Sequence, residues 1–375
     1  MASEVRTVVI SGYYGFNNSG DEAVLNSILN ALERAGREAG IRIEPVVLSG
    51  DPAATTALYG VRAVHRMKIG EVRRALKNSH ALISGGGSLL QDATSAKTIP
   101  YYLGVIKLAQ WLGKPTFIYA QGIGPVQRKL FYPFIKNVFS RSAYVSVRDV
   151  ESAALLEKMG LNKSTIEVVP DPVMGMRLPS GTPQSSGLDE EGRPIVGVSV
   201  RFWNEDRSDM DRIADMLQQW MEQQQLHIRF LPFHGHSDET ASRYVMDRLS
   251  NVDKHGSAVS ISPIYPHPLD MLKEVSRCRV LVGMRLHSLI YAASQHVPVL
   301  GISYDPKIDQ FLNRLGEQAI GTTKQLHPQH AVEQASSVLS NTVRWREQHQ
   351  EVIQQLIQEA ELPAKQVVQL LRQTN

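Results

Sequence analysis

Short apolar runs rich in β-branched residues alternate along the chain with longer stretches whose apolar residues recur at helical spacing. RTVVISG predicts a strand and DEAVLNSILNALERAG a helix. IEPVVLSG, HALISGGG, PTFIYAQGIG, AYVSVRD and IEVVPDP continue the strands, with helices such as IPYYLGVIKLAQWLG and VESAALLEKMG between them. Each apolar run is short and is followed by Gly, Asp or Ser, the pattern of buried parallel strands that end in functional loops. The series pauses at MRLPSGTPQSSGLDEEGRP, whose Pro, Gly, Ser and charge read as a linker. It resumes with PIVGVSVRF, HIRFLPFHG, AVSISPIYP, RVLVGMR and VPVLGISYD, and beyond about residue 325 the chain is helical and rich in Gln and Glu.

This alternation predicts an α/β protein of two Rossmann-like domains facing a cleft, the GT-B-like architecture, with a helical C-terminal segment. The expected division is 1–175 for the first domain, 176–194 for the linker, 195–325 for the second domain and 326–375 for the helices. Ligands of such sheets bind outside the carboxyl ends of the strands.

Composition narrows the class. A length of 375 residues suits two cores better than one. The hydrophobic fraction of 42% and charged fraction of 21% are those of a globular protein. The net charge of +3 gives no general basis for nucleic-acid binding, so a basic site must be local. A single cysteine, Cys278, forbids an intrachain disulfide and reads as a buried structural thiol. The first residues enter a strand without a long apolar segment, and no run of about 18 apolar residues occurs to span a bilayer. The expectation is a cytoplasmic protein, with peripheral contact on the inner face of the membrane left open.

The segment RVLVGMRLHSLIYAASQ carries the most specific chemistry. Its strand should end near Val282 or Gly283 and its helix begin near Leu286. Arg285 and His287 then occupy the turn and the first helical residues, where unpaired N–H groups and the helix dipole favour an anion. Helix starts prefer Asp, Glu, Ser or Thr, so a cation here has a weak structural motive. The alternative is an Arg paired with a carboxylate beside a satisfied buried His. Nucleotide-sugar enzymes of this layout often carry a Glu on the helix to hold ribose hydroxyls; SLIYAAS has none, which favours a smaller, denser anion. Lys307, after the next strand, would lie beside Arg285.

These residues, together with VVISGYYGFNNSGDEAVL, ALISGGGSLLQD, YAQGIGPV, SVRDVES and VPDPV, resemble the polysaccharide pyruvyl transferase family over most of residues 5–325. The similarity is closest to the CsaB-type enzymes of bacterial cell-wall biosynthesis. The resemblance implies transfer of the enolpyruvyl-derived group of phosphoenolpyruvate (PEP) to a sugar, leaving a cyclic ketal and releasing phosphate. It further implies N-acetylmannosamine of a lipid-linked secondary cell-wall polysaccharide precursor as acceptor, bridged through its 4- and 6-hydroxyls. The finished polymer would anchor S-layer proteins. PEP is then a substrate, and no cofactor is expected. The rival readings are a nucleotide-sugar glycosyltransferase of the same fold and a non-catalytic polysaccharide-binding protein.

PEP presents a carboxylate and a phosphate, so it needs several cations. Arg285 and Lys307 supply two and Arg148 a third, with Leu286 and His234 placed beside them. Arg148 could equally pair with its neighbour Asp149. His287 is the candidate general acid for the PEP methylene carbon. Asp21, Asp92 and Asp171 follow strands and are candidates to activate a hydroxyl; Asp21 could instead cap its helix, and Asp171 order the turn between Pro170 and Pro172. The acceptor side is assigned to Tyr14, Asn17, Asn18, Gly86, Gly87 and Asp92. His234 and His236 are too few for a metal site, and none is predicted. Residues 126–142 mix Arg128, Lys129, Lys136 and Arg141 with Phe131, Tyr132, Phe134 and Phe139. They read either as a surface for anionic lipid or as a core helix with snorkelling cations.

Overall fold

The computed structural model describes residues 4–16, 18–92, 97–183 and 185–373, and the chain divides into two units. The first holds β1 (Glu4–Tyr14), α1 (Ser19–Ala39), β2 (Ile41–Ser49), α2 (Pro52–Tyr59), β3 (Arg62–His65), α3 (Ile69–Lys77) and β4 (Ala81–Gly85). It continues with α4 (Thr98–Trp111), β5 (Thr116–Gln121), α5 (Tyr132–Phe139), β6 (Tyr144–Val147), α6 (Val150–Lys158) and β7 (Glu167–Val168). The second opens with β8 (Ile195–Ser199), α7 (Ser208–Gln223), β9 (His227–Phe230), α8 (Gly235–Met246), β10 (Ala258–Ile261) and α9 (Pro268–Ser276). β11 (Val280–Gly283), α10 (Leu286–Ser294), β12 (Val299–Ser303), α11 (Pro306–Leu315), β13 (Gly321–Thr322), α12 (Pro328–Ser340) and α13 (Thr342–Gln373) follow.

Each unit is built on one parallel sheet, ordered β3-β2-β1-β4-β5-β6-β7 in the first and β10-β9-β8-β11-β12-β13 in the second. In both, the strand order reverses direction at the centre: between β1 and β4, and between β8 and β11. Loops leaving adjacent strands there run to opposite faces and open a crevice. Helices cover the sheets through apolar stripes. In the first unit Val9, Leu82 and Ile118 from the strands meet Ile99, Ile106 and Ile135 from α4 and α5. In the second, Val198, Ile228 and Val282 meet Met210, Leu217 and Trp220 of α7. Trp220 is fully buried. Cys278 is buried as expected, and desolvation pushes its thiol up to about 12, so it is an inert structural group.

The edge strands β3 and β13 were not legible as apolar runs; they have four and two residues. The expected linker is in part organised. Leu188 bridges Pro194 antiparallel, Arg193 Nε donates to Asp189 at 2.7 Å, and His227 on β9 meets the same carboxylate at 3.1 Å. Residues 177–355 therefore form the second unit, where the sequence placed a linker to 194. The helical segment expected as one body over 326–375 is also divided, because residues 356–375 group with the first unit. Ala360 and Ala364 of α13 are buried, and Glu361 pairs with Arg34 of α1 at 3.2 Å.

Candidate active site

In the first unit the residues at the crevice between β1 and β4 include Asp21, Asp171 and Arg148. Asn18 caps α1, its side chain accepting from the Gly20 N–H at 3.2 Å. Asp21 is thereby released from the capping role that its position suggested. It lies in the first turn, near Arg148 and Asp171. Burial above all, opposed by the Arg148 charge and reinforced by Glu22 and Asp171, raises its carboxyl to about 7. Asp21 retains some exposed surface, so neighbouring protein rather than complete enclosure supplies the desolvation. The result is a carboxylate poised near neutrality, the property required of a general base.

Arg148 follows β6. Its guanidinium donates to Asp171 at 3.1 Å and to Ser88 at 2.9 Å, with Asp149 at 3.7 Å. The firm carboxylate partner is thus Asp171, not the sequence neighbour; Asp149 caps α6 by accepting from the Ser152 N–H at 2.7 Å. Asp171 keeps a local role as well, accepting from the Val173 N–H at 3.1 Å. Gly86 and Gly87 have φ of +67° and +65°, a region that favours glycine. A β-carbon on Gly86 would fall 1.8 Å from Val24, and one on Gly87 2.6 Å from an Asp21 carboxylate oxygen. Their smallness lets β4 turn tightly over α1 and keeps the space beside Asp21 clear.

Two residues assigned to the acceptor side make structural contacts. Tyr14 is buried and donates its hydroxyl to the Gly85 carbonyl at 2.7 Å; it ties β1 to β4 and has no free face. Asp92 accepts from the N–H groups of Gln127 and Arg128 at 2.8 and 2.9 Å. Desolvation raises its pKa, but these hydrogen bonds prevail and hold it below the usual value. It organises the loop after β5. Asn17 lies outside the described residues. The exposed aromatics are Tyr13 and Phe16, stacked with centroids 4.3 Å apart. Arg66 sits over Phe16 at 5.4 Å and Tyr101 at 4.3 Å. This platform was missed because Arg66 follows an edge strand invisible in the apolar pattern.

In the second unit the crevice between β8 and β11 is basic. β11 ends at Gly283 and α10 begins at Leu286, with Arg285 in the cap position. Arg285 Nε donates to Asp238 at 2.9 Å, and one terminal nitrogen pairs with the other oxygen of that carboxylate. Asp238, fully buried in the first turn of α8, also accepts from the His234 N–H at 2.9 Å. The arginine half of the alternative, pairing with a carboxylate, is therefore realised. The pairing engages one edge of the guanidinium and fixes the plane of the rest, and Arg285 stays partly exposed. Desolvation, then the Arg285 charge, holds His234 below its ordinary pKa; Asp238 opposes this and Arg201 adds to it.

Arg201, just beyond β8, was not singled out by the sequence. It donates to the Tyr304 hydroxyl at 2.9 Å and lies 5.3 Å from the ring of Trp203, which is exposed. Leu286 and His287 are half-buried in the first turn of α10, and Lys307 is half-buried in the first turn of α11, one strand away. His234 and His236 do not form a pair: His236 is exposed and faces Glu239 at 3.1 Å.

The Asp21 environment has a measurable consequence. Its folded pKa lies above its unfolded value, so folded protein holds the proton more tightly. Its contribution to stability is fully present below about pH 4 and is lost as pH rises through about 7. Asp21→Asn is therefore expected to melt above wild type at pH 8, with the gap closing toward pH 4. Equal melting temperatures across that range would contradict the buried-carboxylate description.

Solved structures with the same fold are distant in sequence. A putative UDP-N-acetylglucosamine 2-epimerase from Listeria monocytogenes superposes with a TM-score of 0.62 at 12% identity, over 96% of this chain and 93% of that one. HepE of Anabaena, solved with UDP and glucose, gives 0.59 at 11%, over 98% and 100%. MnaA of S. aureus, solved with UDP, gives 0.58 at 12%, over 96% and 92%. These similarities establish a GT-B-like fold. No curated protein matches by sequence. The family model described as polysaccharide pyruvyl transferase matches residues 18–306, from the cap of α1 to the start of α11. That span includes both crevices, and the chain belongs to the polysaccharide pyruvyl transferase family.

Proposed function

We propose that the protein transfers the enolpyruvyl-derived group of PEP to a saccharide, forming a pyruvate ketal. The observation that carries this reading is the family match over residues 18–306, supported by Arg285 and the His234 backbone N–H being held on the same Asp238 carboxylate at the carboxyl edge of the second sheet. No acidic residue stands in the first turn of α10. Such a site suits a small polyanion better than a ribose. Arg285, Lys307, Arg201 and His234, with Leu286 alongside, are assigned to PEP.

The chemistry then divides among named groups. His287 protonates the methylene carbon, leaving cationic character at C2. A sugar hydroxyl adds to C2 as Asp21 takes its proton, oriented with Asp171 by Arg148. The bond from C2 to the phosphate oxygen breaks, phosphate leaves, and the second hydroxyl closes the ring. Of the two hydroxyl protons, one balances the proton placed on carbon and the other leaves with phosphate. Activity should rise with pH through about 7 as Asp21 ionises. The acceptor proposed is N-acetylmannosamine of a lipid-linked secondary cell-wall polysaccharide precursor, bridged at its 4- and 6-hydroxyls, as in CsaB-type enzymes.

Calorimetric titration tests the donor. PEP is expected to bind and UDP not to bind. Binding of UDP without PEP would replace this reading with a nucleotide-sugar transferase.

A further inference from the structure

Between Asp92 and Asp149 the chain contains no Asp or Glu, yet it carries eight Lys and Arg residues, although the net charge of the whole protein is only +3. α4 and α5 lie within this stretch. Leu130, Phe134, Asn137 and Arg141 are exposed and follow a helical stripe of spacing four, three and four along and beside α5. Lys107 and Trp111 form a second such stripe on α4, with Lys107 Nζ 5.9 Å from the Trp111 ring. The stripes join where Lys107 donates to Asn137 at 3.3 Å. Trp111 is 75% exposed, Leu130 61% and Phe134 60%, so three large apolar side chains stand in water on one face. Arg128, Lys129, Lys136 and Arg141 surround them, all exposed. Among the described residues, none of these four nor Lys107 is paired with a carboxylate.

We infer that this face docks on an anionic lipid bilayer, with Trp111, Leu130 and Phe134 entering the headgroup boundary and the cations above them meeting lipid phosphate. Phe131, Tyr132 and Phe139 do not take part. Phe139 is buried and the other two pack on the core, so the surface is narrower than the 126–142 segment and extends instead onto α4. Self-association is disfavoured by charge, because a two-fold interface would set this cation-rich surface against itself. Nucleic acid would use the cations but leave the Leu and Phe side chains without a partner. A bilayer surface satisfies both. The inference deepens the proposed function by bringing the enzyme to the surface where a lipid-linked acceptor resides. It does not depend on the chemistry of transfer.

The test is sedimentation of the full chain with phosphatidylglycerol-containing vesicles and with phosphatidylcholine vesicles, alongside fluorescence with brominated lipid. Binding is expected to need the anionic lipid and to fall with salt. Bromolipid quenching should be lost in Trp111→Phe. Lys107→Glu with Lys136→Glu should weaken partition at least about twenty-fold, from roughly fivefold per basic residue at the surface. Phosphate release with a soluble acceptor should be unchanged in that variant, which separates failure here from failure of the transferase reading. The inference is overturned if wild type stays in the supernatant at low salt, or if the double variant binds vesicles equally. It is also overturned if single-stranded DNA binds as well as vesicles do, or if light scattering shows a dimer that Phe134→Ser dissolves.

Discussion

His287→Ala is expected to lower turnover by about 100- to 10,000-fold, the range for loss of a positioned general acid, with the fold retained. The side chain is half-buried in the first turn of a short helix that follows a central strand. Alanine has the best helix propensity, so the substitution should not unwind α10. Affinity for PEP should change much less than turnover, because Arg285 and its neighbours remain. Near-normal phosphate release from a folded variant would remove His287 from the mechanism. A loss confined to PEP affinity would make it a binding residue instead.

Asp238→Ala is expected to cost about 3–5 kcal/mol of stability, the usual range for breaking a buried ion pair. Asp238 side-chain exposure is 1%, and its two oxygens serve Arg285 and the His234 N–H together. Removing it leaves a partly buried guanidinium and a helix-start donor without their acceptor. The guanidinium also loses the carboxylate that fixes its plane, so KM for PEP should rise at least tenfold. Arg285→Lys separates the two effects. It keeps the charge beside Asp238 but loses the fork, and should weaken PEP binding with a smaller loss of stability. Urea unfolding and PEP titration of both variants supply the measurements. A change below about 1 kcal/mol in Asp238→Ala would mean that the pair is not held as described.

The contrast between Arg285 and Asp238 shows what the sequence could reveal. Arg285 was legible because strand, glycine and helix lie next to one another, and Gly283 and Leu286 mark the boundaries observed. Asp238 was not, because it lies 47 residues away and reaches Arg285 only after β9 and β11 take their places about β8. Arg201 and Arg66 were hidden for a similar reason. Each follows a strand as an unremarkable loop cation, and only the strand order sets it beside aromatic partners. Asp21 was named, but two functions suited its position. The choice turned on Asn18 accepting the capping N–H, a detail of one turn that spacing does not encode. Tyr14 is the opposite case: a break in the β1 register between Ser11 and Tyr14 accompanies its turning inward, and Tyr13 is left exposed. The parallel sheets themselves were legible because their strands are buried on both faces, whereas β3 and β13, at the edges, leave little apolar signal.

The decisive readout is NMR of the product formed when the protein is incubated with PEP and a lipid-linked disaccharide carrying N-acetylmannosamine. A new methyl singlet and a quaternary ketal carbon correlated to the 4- and 6-positions of that sugar are expected, with one phosphate released per ketal. Recovery of unmodified disaccharide, while a UDP-sugar supplied in place of PEP is consumed, would contradict the proposed transfer.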